Sequence, residues 1–101
     1  MSWLIHYLLE AIDDIESAHS WYERQSPDLG NQFLDALRDT IQPIEANPFL
    51  FAMQYRDFRA VSVGKFPYVI YFRIRDDDVL VFAVQHNRRN SRAWRKRGDT
   101  P

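Results

Sequence analysis

Hydrophobic spacing along the chain changes period once, near residue 55, and that change divides the sequence into a helical front and a stranded back. Residues 2–6 form a short apolar stretch compatible with a first strand. From Leu8 the apolar positions step by three and four: Leu8, Ala11, Ile15, Ala18 and Tyr22. That spacing lines one face of an amphipathic helix, and Asp13, Asp14, Glu16 and Glu23 read as its solvated side. Ser26-Pro27-Asp28 carries a helix-start signal, with Ser26 as N-cap, Pro27 at the first helical position and Asp28 near the positive helix end. A second stripe follows in Phe33, Leu37, Ile41 and Ile44. Pro43 is expected to bend or fray its last turn, and Asn47-Pro48 to end it. Two helices with so short a join predict an antiparallel hairpin.

Phe49–Tyr55 reads as a loop, after which the period is two. Phe58–Val63 alternates Phe58, Ala60 and Ser62 against Arg59, Val61 and Val63, as a strand does. Gly64-Lys65 supplies a turn, and Pro67 fits the start of the next strand. Tyr68–Ile74 is almost wholly apolar and predicts a central strand buried on both faces. Asp76-Asp77-Asp78 reads as a hairpin turn and Val79–Gln85 as a further apolar strand. A short helix fits residues 90–97. The predicted order is β-α-α-β-β-β with a basic tail or short helix. This is an α+β fold, with the helix hairpin packed on a mainly antiparallel sheet.

Length and composition narrow the classes further. At 101 residues and 12.1 kDa the chain predicts a single domain, residues 1–101, with room for one core. It has no cysteine, which excludes disulfides, thiolate metal sites and a cysteine nucleophile. No apolar run approaches a membrane span, and residues 1–10 show neither a basic region nor a small-residue cleavage site, so a cytoplasmic protein is expected. His6, His19 and His86 lack ligand spacing, the three consecutive aspartates lack a calcium-loop pattern, and no phosphate-cradling glycine loop or nucleophile elbow is present. No metal and no cofactor are expected.

The net charge of −1 is a cancellation. Residues 1–50 carry two basic and nine acidic side chains, a net of −7, whereas residues 51–101 carry eleven basic and five acidic ones, a net of +6. Six of the basic residues fall between His86 and Arg97. Arg89, Arg92 and Lys96 share a face if that tail is helical, and Trp94 places an aromatic ring among the cations. Guanidinium groups grip phosphates or carboxylates in bidentate fashion, and a tryptophan stacks or anchors, so the tail reads as a binding surface for an acidic or polyanionic partner. A solubilising basic tail is the plainer alternative. Arg56, Arg59, Lys65, Arg73 and Arg75 add charge on the strands and loops.

Three stretches now carry a resemblance. They are Lys65-Phe66-Pro67-Tyr68-Val69-Ile70-Tyr71-Phe72-Arg73, Val81-Phe82-Ala83-Val84-Gln85-His86-Asn87-Arg88-Arg89, and Trp94-Arg95-Lys96-Arg97. In that order and spacing they resemble the RelE/ParE toxin family of bacterial type II toxin–antitoxin systems. Ala11, Asp14, Ile15, Ser26-Pro27, Phe33-Leu34 and Asn47-Pro48 fit the same family, so the resemblance spans nearly the whole chain. It implies the β-α-α-β-β-β arrangement already read from the spacing.

The resemblance implies one of three functions. ParE-like members, the plasmid stabilisation proteins, inhibit DNA gyrase without being enzymes and arrest growth. RelE-like members cut mRNA in the ribosomal A site, which needs groups to activate the 2′-hydroxyl, stabilise the phosphorane and protonate the leaving oxygen. A third possibility is an inactive homologue that only binds its antitoxin. This chain has Val61 where a second basic residue is expected of an RNase, Tyr68 where a sheet arginine is expected, and no tyrosine in the tail. Its pattern resembles the ParE side more closely. The target-binding residues are then expected to be Arg89, Arg92, Trp94, Arg95 and Arg97. No catalytic residues are then expected; for an RNase the catalytic residues would be Arg59, His86 and Arg89. The resemblance also implies a cognate acidic, ParD-like antitoxin, and Arg59, Arg73 and Trp94 are its expected contacts.

Overall fold

The computed structural model describes residues 2–88 and 94–99. Strand β1 (Leu4–Tyr7) leads into helices α1 (Leu9–Gln25) and α2 (Leu29–Ala46), a 3-10 turn (Pro48–Leu50) and strands β2 (Met53–Tyr55), β3 (Phe58–Ser62), β4 (Tyr68–Arg75) and β5 (Asp78–His86). A short helix α3 (Arg95–Asp99) follows. The strands form one five-stranded sheet in the order β1-β5-β4-β3-β2, with β1 parallel to β5 and the other neighbours antiparallel. The α+β class and helix hairpin are as the periodicity predicts. The expected loop at residues 49–55 holds instead a 3-10 turn and the edge strand β2, which pairs with β3 through Met53–Arg59 and Tyr55–Phe58.

The helix hairpin closes differently from the sequence expectation. Ser26 ends α1, its N–H donating to the Tyr22 carbonyl at 3.1 Å, and α2 begins at Leu29 after Asp28, which has φ +70° and makes no side-chain cap. The cap comes from α1: Glu23 Oε1 accepts the N–H groups of Gly30 at 2.7 Å and Asn31 at 3.3 Å. A carboxylate at these free N–H groups also sits at the positive end of the helix dipole. Gly30 is required there, because a Cβ would lie 2.5 Å from Glu23 Cγ and 2.7 Å from the His19 carbonyl oxygen. Pro43 does not fray the helix, which runs on to Ala46 and ends with the Asn47 N–H on the Pro43 carbonyl at 3.0 Å. Buried Ile41 and Ile44 hold that turn against the sheet despite the missing N–H. Asn47 ends α2 as expected and caps the 3-10 turn, its Oδ1 accepting from the Phe49 N–H at 3.1 Å.

Apolar residues cover both faces of the sheet, so the single expected core is two clusters. On the helix side Phe33, Leu37, Ile41 and Ile44 pack on Ile70, Phe72, Val79 and Val81. On the other side Phe58, Phe82 and Ala83 pack with Trp94. A bulge joins the two. Tyr71 pairs with Ala83 but Phe72 pairs with Val81, so Phe82 is an extra residue, and the run Val81–Val84 is buried throughout. The expectation that β4 is buried on both faces needs correction. Tyr68, Ile70 and Phe72 are buried under the helices, while Val69, Tyr71 and Arg73 on the other face are partly open.

Candidate functional site

The partly open face is where the tail lands. Ser62 pairs with Val69 and Ala60 with Tyr71, which puts small side chains beside larger ones on β3 and β4. The result is a groove of about 370 Å³, lined among others by Ala60, Ser62, Tyr55, Tyr71, Trp94 and Arg95. Small side chains, Ala60 and Ser62, lie in it beside the aromatic rings of Tyr55, Tyr71 and Trp94 and one guanidinium.

Trp94 is 3% exposed. Its ring stacks on Tyr71 at 4.2 Å and 20° and meets Phe58 edge-on at 5.0 Å. Trp94, expected as a contact for target and antitoxin, is thus a buried anchor of the tail. Arg97 is also held: Nη1 and Nη2 donate to Asp14 at 2.8 and 3.3 Å, and Nη1 donates to the Phe82 carbonyl at 2.8 Å. Asp14 accepts the Val84 N–H at 3.0 Å as well, so one carboxylate ties α1 to β5 and to the tail. Its side chain is 14% exposed, not the solvated helix-face residue expected. The signal was present in the spacing, since residue 14 lies three after Ala11 and four before Ala18, on the buried stripe.

Arg95 occupies the groove. Its guanidinium carbon lies 3.9 Å from the centre of the Tyr55 ring, and its buried Nε–H has no acceptor among the described residues. A cation over an aromatic face is attracted by the ring quadrupole, which orients this side chain without using its outer N–H groups. The expected target contacts Arg89 and Arg92 lie outside the described residues.

The remaining sequence candidates have intramolecular partners. Arg73 makes a two-pronged pair with Asp57, 2.9 and 2.7 Å, and lies 4.5 Å from the Phe58 ring centre. Those hydrogen bonds, with the charge of Arg73, hold the Asp57 carboxyl below the usual carboxylate range. Arg59 Nη1 donates to the Phe51 carbonyl at 2.6 Å, and its guanidinium lies over Phe49. His86 Nδ1 accepts the Arg88 N–H at 3.1 Å, and the ring meets Tyr68 edge-on. Arg59 pairs across from Phe72 and His86 across from Tyr68, on opposite sides of β4. Four residues along β4 put them on the order of 13 Å apart along the strand alone. They do not converge on one reacting atom. Among the described residues no group of three or more His, Asp or Glu side chains is placed to hold a metal, and no helix is long and apolar enough to cross a membrane.

The fold is thus a helix hairpin on one face of a mixed sheet with a pinned basic tail on the other, and comparison with known proteins gives its class. Residues 5–91 match the family described as ParE toxin of type II toxin-antitoxin system, parDE, and the chain belongs to that family. It is a ParE-type toxin. It is 31% identical over 85 residues to Toxin ParE2 of Mycobacterium tuberculosis (strain ATCC 25618 / H37Rv), covering 80% of this chain and 78% of the relative. The figures are the same for Toxin ParE2 of strain CDC 1551 / Oshkosh. A solved chain described as a chromosomal ParDE TA system from P. aeruginosa superposes with a TM-score of 0.75 over 84% of this chain and 96% of its own. At 11% identity that likeness is one of fold.

Proposed function

We propose that this toxin acts by binding rather than catalysis, that its target is DNA gyrase, and that a cognate acidic antitoxin neutralises it in the cytoplasm. The observation that carries the reading is the docked tail. Trp94 and Arg97 lock α3 to the sheet, and Arg95 stands in the groove with no hydrogen-bond partner for its guanidinium among the described residues. A preorganised guanidinium beside aromatic walls suits recognition of a carboxylate on a protein partner. Arg89 and Arg92 extend this basic surface in the proposal. Trp94 and Arg97 act through the tail they position.

The dispersal of Arg59 and His86 speaks against the RNase reading. Cleavage needs a base near the 2′-oxygen and an acid near the leaving oxygen, around one phosphate. Each of these side chains instead has its own local partner. The name of the gyrase target comes from the family resemblance, and purified components test it. Toxin at micromolar concentration is expected to abolish supercoiling by gyrase; unaffected supercoiling overturns the target. Primer extension on translated mRNA then separates the classes, because A-site cuts in induced cells assign the endonuclease instead. Growth arrest on expression without the antitoxin eliminates an inactive homologue.

A further inference from the structure

On the helix side, away from the groove, two cavities of about 340 and 470 Å³ share Trp21, Tyr68 and His86 as walls. Arg24 lines the first and Arg88 the second. Each cavity of this cleft thus has one arginine in its wall, and the aromatic surface is common to both. Trp21 is 45% exposed, although a tryptophan is among the most costly side chains to leave in water. Its ring is held by an edge contact with Tyr22 at 5.0 Å. Neither the Arg24 nor the Arg88 guanidinium has a hydrogen-bond or ion-pair partner among the described residues, in contrast to Arg59, Arg73 and Arg97. His86 adds a donor. Its Nδ1 accepts the Arg88 N–H, so the neutral ring carries its proton on Nε2. Asp14 is the acidic wall of the smaller cavity, and its carboxylate is taken up by Arg97 and the Val84 N–H.

We infer that this cleft is the docking site for an acidic peptide segment of the antitoxin, one that places a bulky apolar side chain on Trp21 and Tyr68 between carboxylates facing Arg24 and Arg88. The inference rests on the toxin–antitoxin reading above and gives it a second surface. Charge selects the occupant. Arg24 is one of two basic residues in the first fifty, a stretch of net charge −7. A long polyphosphate laid on the cleft would run along that acidic hairpin and be repelled. A short segment with local carboxylates meets the two arginines, while the Asp14 carboxylate in the cleft wall is already paired with Arg97. The aromatic middle supplies the larger share of affinity, as buried aromatic anchors do at interfaces.

The test uses full-length toxin and the antitoxin encoded beside its gene, with binding measured by calorimetry over a salt series. Trp21→Ala is expected to weaken binding about tenfold or more, the size typical of a central aromatic anchor. The double variant Arg24→Glu, Arg88→Glu is expected to weaken it at least about tenfold and to flatten its salt dependence. All three positions are exposed or nearly so, and circular dichroism confirms that the variants fold. Arg38→Glu makes the same kind of charge reversal at an exposed pair with Asp35 on α2 and is expected to change binding less than about twofold. Cleft variants that bind like wild type overturn the cleft and leave the toxin–antitoxin reading standing. A wild-type toxin that binds no antitoxin overturns that reading, and the cleft with it. A single-stranded uridine oligonucleotide serves as a second probe; its loss in the cleft variants, with antitoxin binding intact, assigns the site to nucleic acid and overturns the proposal.

Discussion

The two faces of the sheet are closed by different means. Helices of 17 and 18 residues cover one face, and their buried stripes bring Phe33, Leu37, Ile41 and Ile44 onto the strands. The other face is covered by Trp94 and a five-residue helix, fixed by the Asp14–Arg97 pair. Burial stabilises in proportion to area, so the helix side draws on many contacts and the tail side on a few directional ones. Elements held by few contacts open locally at low free energy, and binding surfaces are drawn from that end of the scale. Stability therefore rests mainly on the helix face, and the tail face is the more easily opened of the two.

The largest expected effect lies on the helix side. Phe33 is fully buried and touches the rings of Tyr22, Phe66 and Tyr68. Phe33→Ala is expected to cost about 3–5 kcal/mol, which is a large share of the stability of a domain this small. Urea unfolding followed by circular dichroism measures it. A loss below about 1 kcal/mol would mean that the helix face is not the stability core.

Trp94→Ala comes next. It removes a buried ring from the smaller cluster, and the expected loss is about 2–3 kcal/mol, below the usual value for a buried aromatic because the chain end can collapse into the gap. The discriminating result is a split. Amide exchange is expected to rise in β3 and β4 beside the groove while the helix hairpin keeps its protection. Equal loss of protection on both faces would break the comparison.

What was legible in the sequence follows the same division. Both helix stripes were readable because large residues recur at fixed short spacing, and that spacing survives whatever the rest of the chain does. Strand β2 was not, since three residues cannot display a period. The hairpin cap was hidden because Glu23 acts across the turn, on N–H groups seven and eight residues further on. Trp94 stood among cations and so read as part of a binding surface, whereas its partners Phe58 and Tyr71 lie on strands far back in the chain. The same distance hid the partners of Arg73 and Arg97. A basic residue's neighbours in sequence say little about whether its charge is spent. Asp57 and Asp14 spend these two only once the strands are in register.

The hinge between the two faces is Asp14, which sharpens the comparison. Asp14→Ala leaves Arg97 facing the Phe82 carbonyl alone and strips the Val84 N–H of its acceptor. The expected cost is about 1–2 kcal/mol, less than for a fully buried pair, because the tail can swing the freed guanidinium into water. Trypsin sensitivity reads this better than global stability. Cleavage after Arg95, Lys96 and Arg97 is expected to accelerate, with α1 and α2 resistant. Asp14→Asn keeps an acceptor for Val84 but loses the charge, so a cleavage rate between wild type and Asp14→Ala is expected. An Asp14→Asn tail as resistant as wild type would show that the backbone bond, not the ion pair, holds the tail.

The smallest expected effect concerns pH on the tail side. Hydrogen bonds from Arg73 lower the folded-state pKa of Asp57 below its usual value of 3.8. A carboxyl with a depressed folded pKa binds protons more readily when unfolded. Its stabilisation is therefore complete above the unfolded pKa and is lost as pH falls through the lower folded one. The window lies below about pH 4. Asp57 is 57% exposed, so solvent screening keeps the contribution well under about 1 kcal/mol. Asp57→Asn is expected to lower stability slightly at neutral pH and to reduce its fall between about pH 5 and pH 2. Arg73 also lies over Phe58, so the loss of its partner is expected to loosen the groove side first. Urea titrations of both proteins across that range decide it. An unchanged acid slope would place the acid sensitivity in other carboxylates.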